Sequence, residues 1–280
     1  MTAPEFRLIG HPVGHSISSQ IHQRLFQLSH TNGNYQLMDV CPDELEATVE
    51  KLRNLSGFNV TIPFKQKIIP FLDEMDKRAA RYGAVNTIKC ENGRLTGYNT
   101  DADGFLHALT SAGIRLKGNV LICGAGGAAR MMACEALERE CSLTVATRTI
   151  GSAQIFADDL KKSYPDADLS ACALVYASGS FDLILNATPC GMYPDVEGCP
   201  IPRQVARSAK AVFDAVYNPN PTMLLKKSAA AGAKTQGGLT MLVWQAAAAH
   251  EIWYDAKFRD DDILRICIEM EQILKNEFAQ

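Results

Sequence analysis

The sequence predicts an α/β protein with two domains. Apolar strands and amphipathic helices alternate in two blocks, one over residues 6–62 and one that begins at residue 119. Such alternation is typical of βαβ units, which build parallel or mixed sheets. The chain has 280 residues, which is more than a single domain usually contains, so we expect two domains.

The first block predicts strands and helices in strict alternation. Its helices are expected where apolar residues recur at helical spacing after a residue that favours a helix start. Its strands are short apolar runs that end at glycine, proline or polar residues. The predicted strands are 6–10, 35–40 and 57–62, and the predicted helices are 18–29 and 43–54.

The second block repeats this alternation and leads into two C-terminal helices. A glycine turn opens its first helix, and short apolar runs supply its strands. The cluster FRDDD, at 258–262, reads as a solvated turn or a helix start. The predicted strands are 119–123, 142–149, 181–188 and 209–217, and the predicted helices are 124–140, 237–256 and 263–278.

Composition excludes several classes of protein. The net charge is −3 and no basic tract appears, so we expect no nucleic-acid partner. We see no signal peptide and no apolar run of about 18 residues, so we expect no membrane segment. The nine cysteines are scattered and never spaced C-x-x-C. This favours reduced thiols in a cytoplasmic protein over disulfides or a structural zinc site.

A glycine-rich turn predicts a dinucleotide site. Gly124-x-Gly126-x-x-Ala129 follows the strand NVLIC and opens an amphipathic helix. Glycines let the backbone approach a pyrophosphate, and the helix N-terminus offers free N–H groups to it. The alternative is an ordinary strand–helix turn, which the flanking strand and helix disfavour.

The end of the next strand bears on the identity of the cofactor. NAD-binding proteins usually place an acid there to hold the ribose hydroxyls. This chain has Thr147, Arg148 and Thr149 instead. Because an arginine pairs with a 2′-phosphate that an acid would repel, we expect NADP, with NAD as the alternative. Arg148 lying over the adenine or facing solvent is the competing interpretation.

Polar residues follow the strands of the first block, where open α/β sheets bind ligands. Two serine hydroxyls spaced i, i+2 can converge on a carboxylate, although capping of the next helix is the favoured interpretation of the serines taken alone. The lysine in this set is open to a second interpretation as a solvated surface charge. The residues are Ser16, Ser18, Asn59, Thr61, Lys65, Asn86 and Asp101.

These segments together resemble the shikimate dehydrogenase family, nearly end to end. The matching pieces, in order, are GHPVGHSIS, NVTIPFK, GAVNT, GYNTDADG, GAGGAAR, NATPCGM, DAVYNP and GGLTMLVWQAA. The resemblance implies a substrate-binding domain over 1–103 and 239–280 and a Rossmann domain over 104–238. It also implies NADP-dependent, reversible hydride transfer between 3-dehydroshikimate and shikimate.

The resemblance implies a role for individual residues. Lys65 and Asp101 match the family's acid–base pair, and a lysine can exchange the hydroxyl proton during hydride transfer. The implied substrate residues are Ser16, Ser18, Asn59, Thr61, Asn86, Tyr217 and Gln245. The implied cofactor residues are Gly124, Gly126, Gly127, Ala128, Thr147, Arg148, Thr149, Thr188, Gly191, Met192, Gly238 and Met241. We expect no metal, because His11, His15 and His22 lack a ligand pattern.

The chain also departs from the family's usual residues. Such departures suit a quinate/shikimate enzyme or a paralogue with another cyclic acid, and a sensing protein that binds cofactor without turnover is a third interpretation. The intact Lys65 and Asp101 argue against the third. We expect a monomer or a homodimer. The departures are Ser19 for proline, Gln23 for asparagine, Ala102 for glycine, Ser152 for a basic residue and His250 for an aromatic residue.

Overall fold

A computed structural model describes residues 3–14 and 16–278 of the chain. These residues form two compact units, each of which has its own sheet. The first unit contains the residues up to Gly104 together with Leu242–Ile273. The second contains Phe105–Met241 together with the residues from Leu274 onward.

The first unit is built on a mixed sheet. Its strand order is β2-β1-β3-β5-β6-β4, in which β1 is parallel to both neighbours and β5 is antiparallel to both of its own. The elements, in chain order, are β1 (Glu5–Gly10), α1 (Ser18–Leu28), β2 (Asn34–Asp39), α2 (Leu45–Leu52), β3 (Gly57–Val60), β4 (Glu74–Met75), α3 (Lys77–Tyr82), β5 (Thr87–Glu91), β6 (Arg94–Tyr98) and α4 (Asp101–Ser111), which continues into the second unit.

The second unit is built on a parallel sheet with the order β12-β11-β10-β7-β8-β9. This is the doubly wound order of dinucleotide-binding folds, which reverses direction at the first strand. The elements are β7 (Asn119–Cys123), α5 (Gly127–Leu137), β8 (Ser142–Thr147), α6 (Ile150–Ser163), β9 (Leu169–Ala173), β10 (Leu183–Asn186), α7 (Arg203–Ser208), β11 (Ala211–Asp214), α8 (Met223–Ala229) and β12 (Lys234–Gly237).

Two helices, α9 (Leu239–Tyr254) and α10 (Asp260–Phe278), end the described chain. The inner face of α9 carries small apolar residues at helical spacing, and most of them are buried. Trp253 lies with its ring 4.4 Å from Phe6, and its indole N–H donates to the Ile88 carbonyl at 3.0 Å. This contact fixes α9 to strands β1 and β5, and such aromatic pairs stabilise a core by about 1 kcal/mol beyond their buried area.

The structure confirms the predicted α/β class with mixed and parallel sheets. The predicted strand 57–62 is too long, however, because β3 ends at Val60 and the Phe64 N–H then closes a turn onto the Thr61 carbonyl at 2.8 Å. Pro63 has no N–H to offer to a longer ladder. Within residues 3–14 and 16–278, no helix has the length and apolar character needed to cross a membrane.

Candidate active site

One edge of the first sheet collects the polar residues of the first block. Asn59 pairs with Thr87 across the antiparallel strands β3 and β5, and Thr87 pairs in turn with Tyr98 of β6. The Val60 N–H donates to the Asn86 carbonyl at 2.8 Å. The chain leaves β3 and β6, and enters β5, at this same edge, so it brings together residues that are far apart in sequence.

Lys65 and Asp101 form an ion pair at this edge. The Lys65 Nζ donates to Asp101 Oδ2 at 2.6 Å, with 18% and 6% of the two side chains exposed. The Lys65 carbonyl accepts the Val85 N–H at 2.7 Å, which fixes the lysine's backbone. Asp101 is the first residue of α4, where the helix dipole favours a negative charge. The interpretation of Lys65 as a solvated surface lysine is therefore wrong.

Asn86 orients the other oxygen of this carboxylate. Its Nδ2 lies 2.9 Å from Asp101 Oδ1, 2.9 Å from Thr100 Oγ1 and 3.1 Å from Gln245 Oε1. Its Oδ1 accepts the Thr100 N–H at 2.8 Å. Since Asn86 and Asp101 are both nearly fully buried, the Asp101 carboxylate is held on one side by the lysine and on the other by the amide.

Asn59 lies behind this network. Its Nδ2 donates to Thr87 Oγ1 at 2.9 Å and to the Asn86 carbonyl at 3.1 Å, and its Oδ1 accepts the Tyr35 hydroxyl at 2.8 Å. Both amide hydrogens are thus used within the protein, which leaves one Oδ1 lone pair for a ligand. Burial raises the pKa of Tyr35 well above its ordinary value, so its hydroxyl stays a donor. Sequence reasoning missed Tyr35, because no local pattern singles it out.

The two serines lie side by side at the start of α1. Ser16 Oγ donates to Ser18 Oγ at 3.0 Å and accepts the Ser18 N–H at 3.3 Å. Ile17, the residue before the first helical residue, provides no side-chain cap, whereas Ser16 Oγ accepts one N–H of the helix start. The hydroxyls are close enough to bind a single carboxylate together. His15, which follows Gly14 in the sequence, lies outside the described residues.

Other predicted residues of the substrate set lie nearby or elsewhere. Gln245 of α9 accepts from Asn86 and donates its amide to the Leu242 carbonyl at 2.8 Å. Thr61 follows β3, and a Cβ placed on Gly10 would lie 2.4 Å from its γ-methyl group. Tyr217 follows β11 and belongs to the second unit, so the network of the first unit does not contain it.

Two of the histidines considered as metal ligands, His11 and His22, lie within hydrogen-bond distance of other side chains. His11 Nδ1 lies 2.6 Å from Asp39 Oδ1, and the other Asp39 oxygen accepts the Val13 N–H at 3.0 Å. His22 Nδ1 lies 3.0 Å from His250 Nε2, inside a buried aromatic cluster. No group of three metal-ligating side chains occurs in the part of the chain that the structure describes.

The carboxyl edge of the second sheet carries the glycine turn. Gly124 adopts φ +113°, a conformation that favours glycine, and its N–H donates to the Ala146 carbonyl at 2.8 Å. Gly126 is the N-cap of α5 and provides no side-chain cap, and a Cβ placed on it would meet nothing within 4 Å. The open space over uncapped N–H groups of Gly127 and Ala128 fits a pyrophosphate.

The loop after β8 fits a phosphate monoester. Thr147 Oγ1 donates to the Thr149 carbonyl at 2.7 Å, and Thr149 Oγ1 accepts the Ser152 N–H at 3.3 Å as the cap of α6. Arg148 between them is exposed, and within the described residues it forms no ion pair. A free guanidinium beside hydroxyls and a helix start suits the 2′-phosphate of NADP.

Two of the remaining cofactor candidates, Thr188 and Gly238, follow β10 and β12 at this same edge. Thr188 donates its hydroxyl to Asn186 Oδ1 at 2.7 Å, just beyond β10. Gly238 donates its N–H to the Val216 carbonyl at 3.1 Å, and a Cβ there would lie 2.1 Å from the Ala215 carbonyl oxygen, so only glycine fits. The loop residue Gly191 adopts φ +86°, Met192 is 43% exposed and Met241 is buried.

The departures noted in the sequence lie mostly away from the ion pair. Ala102 and His250 are fully buried, and His250 contacts His22 and aromatic rings instead of the Lys65 network. Ser152 lies in the first turn of α6 and bonds to Thr149. Ala102 and His250 therefore affect packing, and Ser152 affects the start of α6. None of these three substitutions removes a group from the hydrogen-bond network around Asp101.

Comparisons with known proteins agree with this geometry. A family model described as the shikimate dehydrogenase substrate binding domain matches residues 8–88. A shikimate dehydrogenase (NADP(+)) of Caldanaerobacter subterraneus subsp. tengcongensis is 38% identical over 94% of this chain and 95% of its own length. One of Methanocaldococcus jannaschii is 42% identical over 88% of this chain and 89% of its own.

A solved structure extends the similarity to the fold. The shikimate 5-dehydrogenase of Thermus thermophilus, in complex with NADP(H) and shikimate, superposes with a TM-score of 0.85 at 34% identity. The match covers 95% of this chain and 99% of that one. With both sheets, the glycine turn and the relatives in agreement over nearly the whole length, this chain belongs to the shikimate dehydrogenase family.

Proposed function

We propose that this protein is a shikimate dehydrogenase, which interconverts 3-dehydroshikimate and shikimate with NADP(H). The observation that carries this proposal is the Lys65–Asp101 pair, 2.6 Å apart and held by Asn86 at a sheet edge. An alcohol oxidation needs one group that exchanges the hydroxyl proton and one that holds this group in place. Family relatives with NADP(+) in their names support the choice of cofactor and substrate.

Lys65 acts on the proton of the reacting hydroxyl. In the oxidation direction its amine accepts this proton, and in the reduction direction its ammonium donates a proton to the new alkoxide. Asp101 Oδ2 accepts from Nζ and fixes its direction, while Asn86 keeps the carboxylate from rotating. NADP, when bound, supplies the hydride chemistry, and every proton step belongs to residues of the chain.

The first unit binds the substrate acid. We place its carboxylate at Ser16 and Ser18, whose hydroxyl oxygens lie 3.0 Å apart. Its ring hydroxyls are placed at the polar residues of the sheet edge. A site that bonds each hydroxyl rejects analogues that lack one. The proposed ring-contacting residues are Asn59, Thr61, Asn86, Asp101 and Gln245, and a contact from Tyr217 of the second unit stays a prediction.

The second unit binds the cofactor. Its pyrophosphate is placed over the N-terminus of α5, and its 2′-phosphate at Arg148 and the threonines beside it. The nicotinamide end is placed near Thr188, Gly191 and Met192, with Gly238 and Met241 completing the set. Because Gly124, Arg148 and Thr188 follow strands β7, β8 and β10 at the carboxyl edge of a parallel sheet, the placement follows the general rule for open α/β folds.

Arg148 should control selectivity for NADP over NAD. We expect Arg148→Gln to raise the KM for NADP⁺ by about 10- to 100-fold, because a charge-assisted bond to phosphate contributes about 1.5–3 kcal/mol. The KM for NAD⁺ and the kcat should change little. Initial rates with both cofactors measure the effect. Arg207→Gln, which alters another exposed arginine of the second unit, is the control, and equal losses with both cofactors would contradict the assignment.

The proposed function is tested by NADP⁺ reduction with shikimate, run beside NAD⁺ and beside quinate. We expect turnover with shikimate and NADP⁺ to exceed the other combinations. Turnover mainly with quinate would assign a related cyclic acid and keep the Lys65 chemistry. An absence of turnover with every pair, in a protein that binds NADP⁺, would make it a binding protein and overturn the proposal.

We further propose a cytoplasmic location. None of the nine cysteines, all of which lie among the described residues, forms a disulfide, and five of them are buried. Proteins of oxidising compartments tend to pair their cysteines. The proposed partners are the substrate acid and the cofactor.

A further inference from the structure

A buried carboxyl group joins the strand ends of the second unit. Asp214 is the last residue of β11 and has no exposed surface. Its Oδ1 accepts from Asn186 Nδ2 at 2.8 Å and from the Val216 N–H at 3.1 Å, and its Oδ2 accepts the Thr222 hydroxyl at 2.7 Å. Each of these three donors comes from a different segment of the chain.

The bond to Asn186 leads directly to the turn after β10. Asn186 Oδ1 accepts both the Thr188 N–H, at 3.0 Å, and the Thr188 hydroxyl, at 2.7 Å. Thr188 Oγ1 in turn accepts the Cys190 N–H at 3.3 Å. Because an amide that donates to a carboxylate must turn its oxygen the other way, Asp214 decides which atom Asn186 presents to Thr188.

Stability alone does not account for a carboxyl group at this position. Burial raises the pKa of Asp214 to about 6, so at neutral pH the group is charged where a charge is unfavourable. The titratable groups that face it are the thiols of Cys123 and Cys190, and burial raises the pKa of both, which keeps them neutral. Hydrogen bonds compensate the charge, and through Asn186 they connect Asp214 to Thr188 at the carboxyl edge of the second sheet.

We propose that Asp214 is a positioning residue for cofactor binding, which acts through Asn186 on the turn of Thr188. The inference rests on the proposed function, in that it takes the Thr188 turn to contact NADP. Asp214 itself touches no ligand. Removing its acceptor atoms frees Asn186 to rotate, and the Thr188 turn then loses the two hydrogen bonds that Asn186 Oδ1 accepts from it.

The first measurement is the affinity for NADP⁺ in the absence of shikimate, by calorimetric titration. We expect Asp214→Ala to weaken binding at least about tenfold, because the bond that Asn186 donates to the charged carboxylate is lost and no longer holds the Thr188 turn. Asp214→Asn keeps the shape and Oδ1 as an acceptor, so binding should stay within about threefold, and its Tm should not fall, since a buried charge is removed. Asp182→Asn, at the opposite edge of the sheet, is the control.

A double-mutant cycle separates positioning from general damage to the unit. If Asp214 acts through the turn, Thr188→Val should weaken binding in the wild type but add less than about threefold in the Asp214→Ala background. Arg148→Gln changes the loop after β8. Its fold-loss of NADP⁺ affinity should therefore multiply with that of Asp214→Ala in the double variant. Binding by a folded Asp214→Ala variant within about threefold of the wild type, or multiplicative effects with Thr188→Val, would overturn the inference.

The same titrations keep this inference distinct from the proposed function. A wild-type protein that does not bind NADP⁺ would overturn the proposed function. A wild-type protein that binds NADP⁺, with variants that bind equally well, would overturn only the role of Asp214. The measurement needs no turnover, so an error in the assigned substrate does not affect its outcome.

Discussion

Replacing Lys65 by methionine should lower the kcat for shikimate oxidation by about 10²- to 10⁴-fold, the usual contribution of a general acid–base group. The methionine keeps much of the lysine's volume and has no exchangeable proton. The affinity for NADP⁺ should stay unchanged, because Lys65 belongs to the first unit and the predicted cofactor residues belong to the second. Single-turnover rates and cofactor titrations measure the two effects separately.

A second variant separates the proton from the charge. Lys65→Met leaves Asp101, of which 4% is exposed, with no counter-charge, and breaking a buried pair costs about 3 kcal/mol of stability. Lys65→Arg keeps a cation beside Asp101, but a guanidinium does not release its proton in proteins. We expect Lys65→Arg to fold normally and to be nearly as slow as Lys65→Met. Lys67→Met changes an exposed neighbour and serves as the control. Near-normal turnover in either Lys65 variant would exclude Lys65 as the acid–base group.

Mild acid should destabilise the protein through the buried pair His22–His250. Burial lowers the pKa of His22 well below its ordinary value, with a contribution from His250, and burial lowers the pKa of His250 to about 3. The unfolded chain takes up protons on these rings near pH 6.5, whereas the folded chain does not. Stability therefore falls as the pH decreases, by about 2 kcal/mol for each histidine between about pH 7.5 and about pH 5.

Asp214 has the opposite effect on folding stability over the same pH range. Its pKa is raised to about 6, so the folded state takes up this proton first, and a fall to about pH 5 stabilises the protein by roughly 1 kcal/mol. The expected net loss is then about 3 kcal/mol. Urea unfolding at several pH values measures this loss.

The histidine contribution is isolated by comparing variants. His250→Phe should remove about 2 kcal/mol of the pH-dependent loss, whatever it does to stability at neutral pH, because only one buried imidazole remains. His30→Asn is the control: His30 is exposed at φ +52°, a conformation that asparagine tolerates. If wild type and His250→Phe lose the same free energy between the two pH values, the pair is not the source of the acid sensitivity.

Local patterns predicted the elements whose signals are contained in a short window. The strand 119–123 and the glycine turn after it are two such cases, because apolar residues, glycines and a helix start follow one another directly. The hairpin of β5 and β6 has an equally local signal that was missed. Asn92 and Gly93, at φ +52° and +75°, form a two-residue connection of the Asn-Gly type that favours a hairpin.

Tertiary arrangements could not be predicted from such windows. Lys65 and Asp101 are 36 residues apart, and only the strand register brings their segments to one edge. The family resemblance, and no spacing rule, suggested that they form a pair. His22 and His250 are 228 residues apart, and neither has a neighbour in sequence that indicates a buried partner. Burial and pairing of this kind depend on the packing of α1 against α9.

The division of the first unit has a consequence for the order in which the chain folds during synthesis. The second unit has its whole sheet within one continuous stretch, which is complete once Gly237 has left the ribosome. The first unit has one core cluster, around Phe6, that includes Trp253 of α9, and this cluster is incomplete until α9 has been made. The N-terminal strands, although made first, must therefore wait with Phe6 and Ile88 unpaired by Trp253 while the second unit is being synthesised.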